Sequence, residues 1–464
     1  MLYVHSIGRA VRYYPERPAL SLGQSTLTFS QLHDRVQRLA TGLNSAGFKK
    51  GDRLAILLPN APEYIELVYA CSWLGVIVVP INVRLSIPEI DHVLADCSPR
   101  GIVRHSTLPQ PKTRLSWDIV LDRDGLTGDR LIGGDGRCPD ACYDPDANLA
   151  LIYTSGTTGR PKGVMLTHSN ILADVNNFNY WMRYREGGVY LHAAPIFHIA
   201  DFPAMFAAPM FGASQVTLER FQPEVFCEVV AKERVNYTVL VPTMINFLTQ
   251  FAESNPHDLT SLDLLAYGGS PMAPQLIRKT RELLPTTQLV QVYRLSETGF
   301  LTGLQDREHT ADRLMSCGRP CPGVDVQIVD DAGNPVKTPN PGEIVARGAN
   351  VMLGYWNNEE ETAASFRNGF FRTGDMGYQD SNGYLYILDR MKDMIVTGGE
   401  NVYSGEVEGG GGDIESSCRP GRSGFRYSRY TVGRASGGLR GVESWDASHH
   451  GRVDRVLPAV VGEL

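Results

Sequence analysis

Apolar and polar positions along this chain follow two rhythms, one helical and one strand-like, and the two alternate. Leu32, Val36, Leu39, Ala40 and Leu43 recur at helical spacing after Ser30, a residue able to cap a helix, with Gly47 near the end. Arg53 to Pro59 then reads as a buried strand, and Leu67 to Ile81 reads as a buried helix running into a core strand. Strand patterns return at Val76 to Pro80, Val189 to Ala194, Val216 to Leu218 and Tyr237 to Val241. The alternation predicts an α/β fold, a large multi-subdomain body of layered, parallel-rich sheets. From about Gly318 the rhythm shortens to strands separated by Gly/Pro/Asn turns such as Asp331 to Pro335 and Asp380 to Gly383, which predicts a small β-rich subdomain over 318–390. The Gly/Asp-rich stretch Asp122 to Asp146 reads as a loop, Gly383 to Arg390 reads as a strand leading into a junction, and no internal repeat is found.

The run from Tyr153 to His168 interrupts these patterns. It follows the apolar segment Leu149 to Tyr153, precedes a predicted helix, and has the composition of a polyphosphate cradle. Gly156, Gly159 and Gly163 let the backbone turn its amides toward an anion; the hydroxyls of Thr154, Ser155, Thr157 and Thr158 add donors, and Lys162 brings a positive charge. A P-loop is excluded, because Pro161 precedes Lys162 and Gly163 follows it where a magnesium-binding Ser or Thr is needed. A Gly/Thr-rich surface turn that binds nothing is the competing reading.

Composition narrows the class. With 464 residues and 42% hydrophobic content the chain exceeds one ordinary core, so two or three subdomains are expected. A net charge of -7 argues against a nucleic-acid partner. Met1 to Ala10 lacks a secretory-signal pattern, and Leu67 to Ile81 is too short for the ~20 residues of a membrane span, so a cytoplasmic protein without a span is expected. Among eight cysteines, the pairs Cys138/Cys142 and Cys317/Cys321 have the gap of a zinc half-site but no nearby His/Cys companion, and read as ordinary thiols.

Residue for residue, Tyr153 to His168 resembles the signature loop of the adenylate-forming superfamily, which includes acyl-CoA synthetases, peptide-synthetase adenylation domains and luciferases. Further segments resemble the superfamily's motifs in the right order, so the likeness spans Leu27 to Glu408. Tyr267-Gly268-Gly269-Ser270-Pro271 resembles the loop that walls the adenine and acyl sites. Gln291 to Thr298 resembles the motif in which Tyr293 would stack on adenine, the Ser296 hydroxyl would meet the α-phosphate, and Glu297, with Thr154, would hold Mg²⁺. Arg294 stands where the family usually has glycine. In Arg372-Thr373-Gly374-Asp375, Asp375 would accept from both ribose hydroxyls; Arg390 would be a second ribose or phosphate contact, and Lys392 sits at the family's domain hinge. His198 resembles the residue that gates the acyl pocket and thiol tunnel, with a half-buried structural histidine as the alternative.

The resemblance implies ATP, Mg²⁺ and CoA, a small-molecule carboxylic acid substrate, and catalytic roles for Lys162, Glu297 and His198. Phe202, Met205, Phe206, Met244 and Phe247 suit an apolar acyl chain or an ordinary core, and no carboxylate pair is evident for an amino group; a fatty or aromatic acid is favoured over an amino acid. The implied domains are 1–390 for nucleotide binding, 391–408 for the start of a small α+β C-terminal domain, and 409–464 for an atypical, disordered tail. After Glu408 the likeness stops: Gly409 to Gly412 open a segment rich in Gly, Arg and Ser, and no lysine follows Lys392. The family uses a C-terminal lysine to bridge carboxylate and α-phosphate, so adenylation is expected to be impaired. Degenerate codons for Cys418 to Ser436, read one nucleotide out of phase, permit a family-like continuation, so a frameshift would account for the break.

Overall fold

The computed structural model describes residues 2–22, 25–122, 138–155 and 161–391, together with four short strands beyond them. The chain divides into two units, Met1–Lys392 and Asp393–Leu464. In the second, Ile395–Thr397 pairs antiparallel with Glu400–Val402, and Arg434–Ala435 with Gly438–Leu439. The remainder of the 409–464 stretch lies outside the described residues.

In the first unit the amphipathic pattern forms the helix Phe29–Ser45, which buries Leu32, Val36, Leu39, Ala40 and Leu43. Its cap is Thr28 and not Ser30, which is already inside the helix. Thr28 has extended dihedral angles, its Oγ1 accepts from Gln31 N at 3.2 Å, and its N–H donates to Gln31 Oε1 at 2.9 Å. That reciprocal pair satisfies two amide donors, which a cap at Ser30 could not do. The apolar stretch further on becomes helix Pro62–Leu74, Gly75 in the left-handed region at φ 72°, and strand Ile77–Pro80. Among the described residues no helix is long and apolar enough to cross a membrane.

Two large mixed sheets carry the unit. One runs, in spatial order, Gly354–Tyr355, Pro161–Thr167, Asn148–Ser155, Ile77–Pro80, Arg53–Leu57, Gly101–His105, Trp117–Leu121. The other runs Arg319–Pro320, Gly299–Leu304, Gln288–Leu295, Leu264–Gly268, Tyr237–Leu240, Val189–His192, Ser214–Thr217, Pro18–Leu22, Ser25–Thr28. Their central strands are parallel and nearly all buried, as helix-covered sheets require; both margins of the second sheet and the hairpin margin of the first are antiparallel, while the edge strand Trp117–Leu121 stays parallel to its neighbour. A third, antiparallel sheet contains Val324–Val329, Gly342–Gly348 and Phe370–Gln379, with Phe366–Arg367 and Leu385–Arg390 both pairing to the last. The β-rich region is stitched into its neighbours, since Arg319–Pro320 and Gly354–Tyr355 belong to the two large sheets.

The strand before the phosphate-loop run and the helix after it are both present, and the run itself adds a strand that the sequence did not reveal. Asn148–Ser155 and Pro161–Thr167 form an antiparallel hairpin before helix His168–Met182. The second strand keeps Val164 and Leu166 inward, a period-two signal too short to stand out beside its glycine and lysine.

Glu63, in the first turn of helix Pro62–Leu74, is only 3% exposed, and its Oε2 has no hydrogen-bond partner among the described residues. Burial pushes its carboxyl up to about 7; its own backbone amide and Arg35 oppose the rise, and Glu66 adds to it. The unfolded chain releases this proton near pH ~4.3, so stability falls as pH climbs from there to about 7. Glu63→Gln is expected to raise the thermal midpoint at about pH 8 and leave it nearly unchanged at about pH 4, as read by thermal unfolding across that range.

Candidate active site

The hairpin brings Thr154 opposite Lys162. The Lys162 ammonium is paired with the Glu361 carboxylate, on helix Glu359–Ala364, and lies 5.4 Å from the centroid of the Tyr355 ring. Tyr355 sits on the strand that pairs with the hairpin, and its hydroxyl donates to Glu297 Oε1 at 3.0 Å. Glu297 occupies the turn between strands Gln288–Leu295 and Gly299–Leu304, where its carbonyl accepts from Met352 N at 2.7 Å. Burial raises its pKa, while its backbone amide, Tyr355, Arg390 and Lys162 pull the other way. Glu297 therefore feels two cations that reach it from different sheets.

The second of these belongs to a cluster around Asp375. The Tyr293 hydroxyl donates to Asp375 Oδ2 at 2.7 Å, and Arg390 Nε lies 3.4 Å from Asp375 Oδ1 from the opposing strand position. Asp375 is buried and follows Gly374, whose φ is 71°. Burial, and then Asp375, raises the Tyr293 pKa far above the phenol range, so this hydroxyl is a fixed donor. Ser296, adjacent to Glu297, is buried in the same turn.

Gly268 ends the strand beside Gln288–Leu295, where a Cβ would come within 2.2 Å of Val292 O. Its small size is demanded by the neighbouring strand, a stronger constraint than the approach to a ligand for which it was singled out. Gly269 follows at φ 83°, and Ser270 is exposed. Gly156, Thr157, Thr158, the side chain of Ser155 and Lys392 lie outside the described residues.

His198 is accessible to solvent, and its Nδ1 accepts from Ala200 N at 3.1 Å. The surrounding protein and then the Arg294 guanidinium hold its pKa below the usual imidazole range. The five residues suggested for an acyl pocket do not form one wall. Phe202, Met205 and Phe206 are fully buried in the main core, Met244 packs against a second core, and Phe247 is 56% exposed. The ordinary-core alternative explains the first three. Cys321, one of the zinc-spaced pair, accepts from Trp181 Nε1 at 3.0 Å.

Sequence reading missed Tyr355 and Glu361, whose contacts with Lys162 span almost two hundred positions and leave no local signal. The donor set fits a magnesium ion that arrives with a nucleotide, since such ions take one or two protein carboxylates and draw further oxygens from phosphate and water. Glu297 would supply the carboxylate and Thr154 a hydroxyl; among the described residues no group of three His, Cys, Asp or Glu could cage an ion unaided.

Residues 7–356 match the family described as AMP-binding enzyme. The chain is 37% identical over 402 residues to feruloyl-CoA synthase from an Amycolatopsis species, covering 86% of this chain and 81% of that protein. It is 33% identical over 393 residues to the long-chain-fatty-acid–CoA ligase FadD13 of Mycobacterium tuberculosis, covering 82% and 77% respectively. The solved structure of o-succinylbenzoate coenzyme A synthetase from Bacillus subtilis, in complex with ATP and magnesium ion, aligns with a TM-score of 0.78 at 31% identity over 87% of this chain and 83% of that one. By this match over most of its length and by these relatives, the chain belongs to the AMP-binding family of adenylate-forming enzymes, among the acid–thiol ligases.

Proposed function

We propose that this protein activates a carboxylic acid with ATP and transfers the acyl group to CoA. The acid's carboxylate oxygen bonds to the α-phosphorus while the bond to pyrophosphate breaks; the CoA sulfur then bonds to the acyl carbon as its proton is lost and AMP leaves. The observation that carries the reading is the convergence of the Lys162 and Asp375 clusters on Glu297. A triphosphate laid between them would meet Lys162 at one end and Asp375 at its ribose, a positioning and electrostatic task. Magnesium, when bound, would neutralise phosphate charge at Glu297 and Thr154. Tyr293 would present its ring to adenine, Ser296 and the hydroxyls of the 154–158 loop would donate to phosphate, and His198 would stand at the acyl and thiol entrance.

A fatty acid is the favoured substrate, with an aromatic acid as its nearest rival, because relatives are named for both kinds. We assign nucleotide binding to 1–390 and read 391–408 as the start of a C-terminal domain. The absence of lysine after Lys392 favours a second reading, an inactive remnant that still binds nucleotide or acyl-adenylate.

Incubation with labelled ATP, CoA and a panel of fatty and aromatic acids decides between them. Thioester well above an enzyme-free control is expected for the ligase, whereas nucleotide binding with neither adenylate nor thioester would establish the remnant. Glu297→Gln is expected to lower magnesium-dependent adenylate formation by about a hundredfold or more, with the thermal midpoint nearly unchanged. Glu361→Gln frees Lys162 of its partner and should tighten ATP binding roughly fivefold in calorimetric titration, while Lys162→Ala should weaken it.

A further inference from the structure

Consecutive residues at the end of strand Gln288–Leu295 serve two different clusters. The pairing with Gly299–Leu304 shifts register between Tyr293, opposite Thr302, and Arg294, opposite Phe300. Such an irregularity re-aims side chains. The Tyr293 hydroxyl reaches Asp375, whereas the Arg294 guanidinium reaches the loop that bears His198. Arg294 Nη1 donates to Ala200 O at 3.1 Å, Nη2 donates to Asp174 Oδ2 at 3.2 Å, and the guanidinium carbon lies 4.2 Å from the Phe300 ring centroid. Its side chain is 6% exposed, and its buried Nε has no partner among the described residues, a cost that calls for an explanation.

Ala200 is the joint between the two groups. Its carbonyl accepts from Arg294, and its amide donates to His198 Nδ1 at 3.1 Å. An Nδ1 that accepts leaves the ring proton on Nε2. The acids nearby are already engaged: Asp201 with His192 and Tyr190, and Asp174 with Arg294 and the Phe300 amide. Arg294 is thus the charge that acts on His198, and a like charge beside imidazole disfavours its protonation.

We propose that Arg294, held by Asp174, is a positioning residue that fixes the 198–200 turn through the Ala200 carbonyl and so presents His198 as a neutral ring with its proton on Nε2. This rests on the proposed place of His198 at the acyl and thiol entrance. It also gives a reason for an arginine where the family usually has glycine.

The test is long-range nitrogen–proton correlation of the histidine rings in the full chain, with His198→Gln to assign the signals. In the wild-type protein His198 is expected to carry its proton on Nε2 at neutral pH and to titrate below free imidazole. Arg294→Met should mix the tautomers and move the titration upward, and Arg294→Lys should retain the lower titration because it keeps the charge. A wild-type ring protonated on Nδ1, or an unchanged tautomer and titration in Arg294→Met, would overturn the proposal. The wild-type tautomer decides even if the variant does not fold. Failure of the functional reading shows separately, as thioester formation that His198→Ala leaves untouched, while the ring spectra still report on Arg294.

Discussion

The Asp174 side chain is 2% exposed, and a charge buried that deeply must be met by partners fixed in advance. Asp174 lies on helix His168–Met182, directly after the signature hairpin, and grips the start of strand Gly299–Leu304 through the Phe300 amide at 2.6 Å. Gly299 is required there, since a Cβ would come within 2.4 Å of Asp174 Oδ1. Arg294 completes the pairing from the preceding strand. The turn that carries Ser296 and Glu297 is therefore held at both ends by one side chain. Asn350 adds a clasp, donating to Thr298 O at 2.6 Å and Phe300 O at 3.1 Å, and Asn170 of the same helix holds Ala349 O and Val351 O at 2.8 Å each. Removing one partner of a buried pair leaves the other uncompensated, at a cost of about 3–5 kcal/mol, so the position of Glu297 is coupled to the stability of the whole seam.

Most of the architecture was legible because it rests on local periodicity. Helix Pro62–Leu74 and strand Ile77–Pro80 lie where the apolar stretch put them, and the core strands were found within a residue or two. Boundaries went astray where two capping residues stood close together, as with Thr28 and Ser30, since the choice depends on the reciprocal bond to Gln31. The strand Pro161–Thr167 was hidden because its partner, not its own short alternation, makes it a strand.

Within the site, the resemblance singled out Lys162, Tyr293, Glu297 and Asp375, and the fold brings them into two clusters that share Glu297. It could not reveal what neutralises them. Tyr355 meets Lys162 only once its strand, almost two hundred positions away, pairs with the hairpin, and Glu361 comes with the short helix that follows it; Arg294, visible as a departure from the family pattern, gave no sign that Asp174 would be its counter-ion. The apolar residues misled for a related reason: Phe202 and Phe247 look alike in sequence, yet one is fully buried and the other largely exposed. Side-chain type fixes what a residue prefers, and only packing decides which surface it meets.

The pairing of Lys162 with Glu361 has a consequence for the end of a catalytic cycle. A cation that already owns an internal counter-ion does not gain a partner when phosphate enters; it trades one anion for another. In the proposed reaction the same carboxylate would reclaim the lysine as the leaving phosphates loosen, and departure would be drawn forward by a bond that re-forms inside the protein. A nucleotide site built in this way would give up some grip on its ligand and gain a faster return to the empty state.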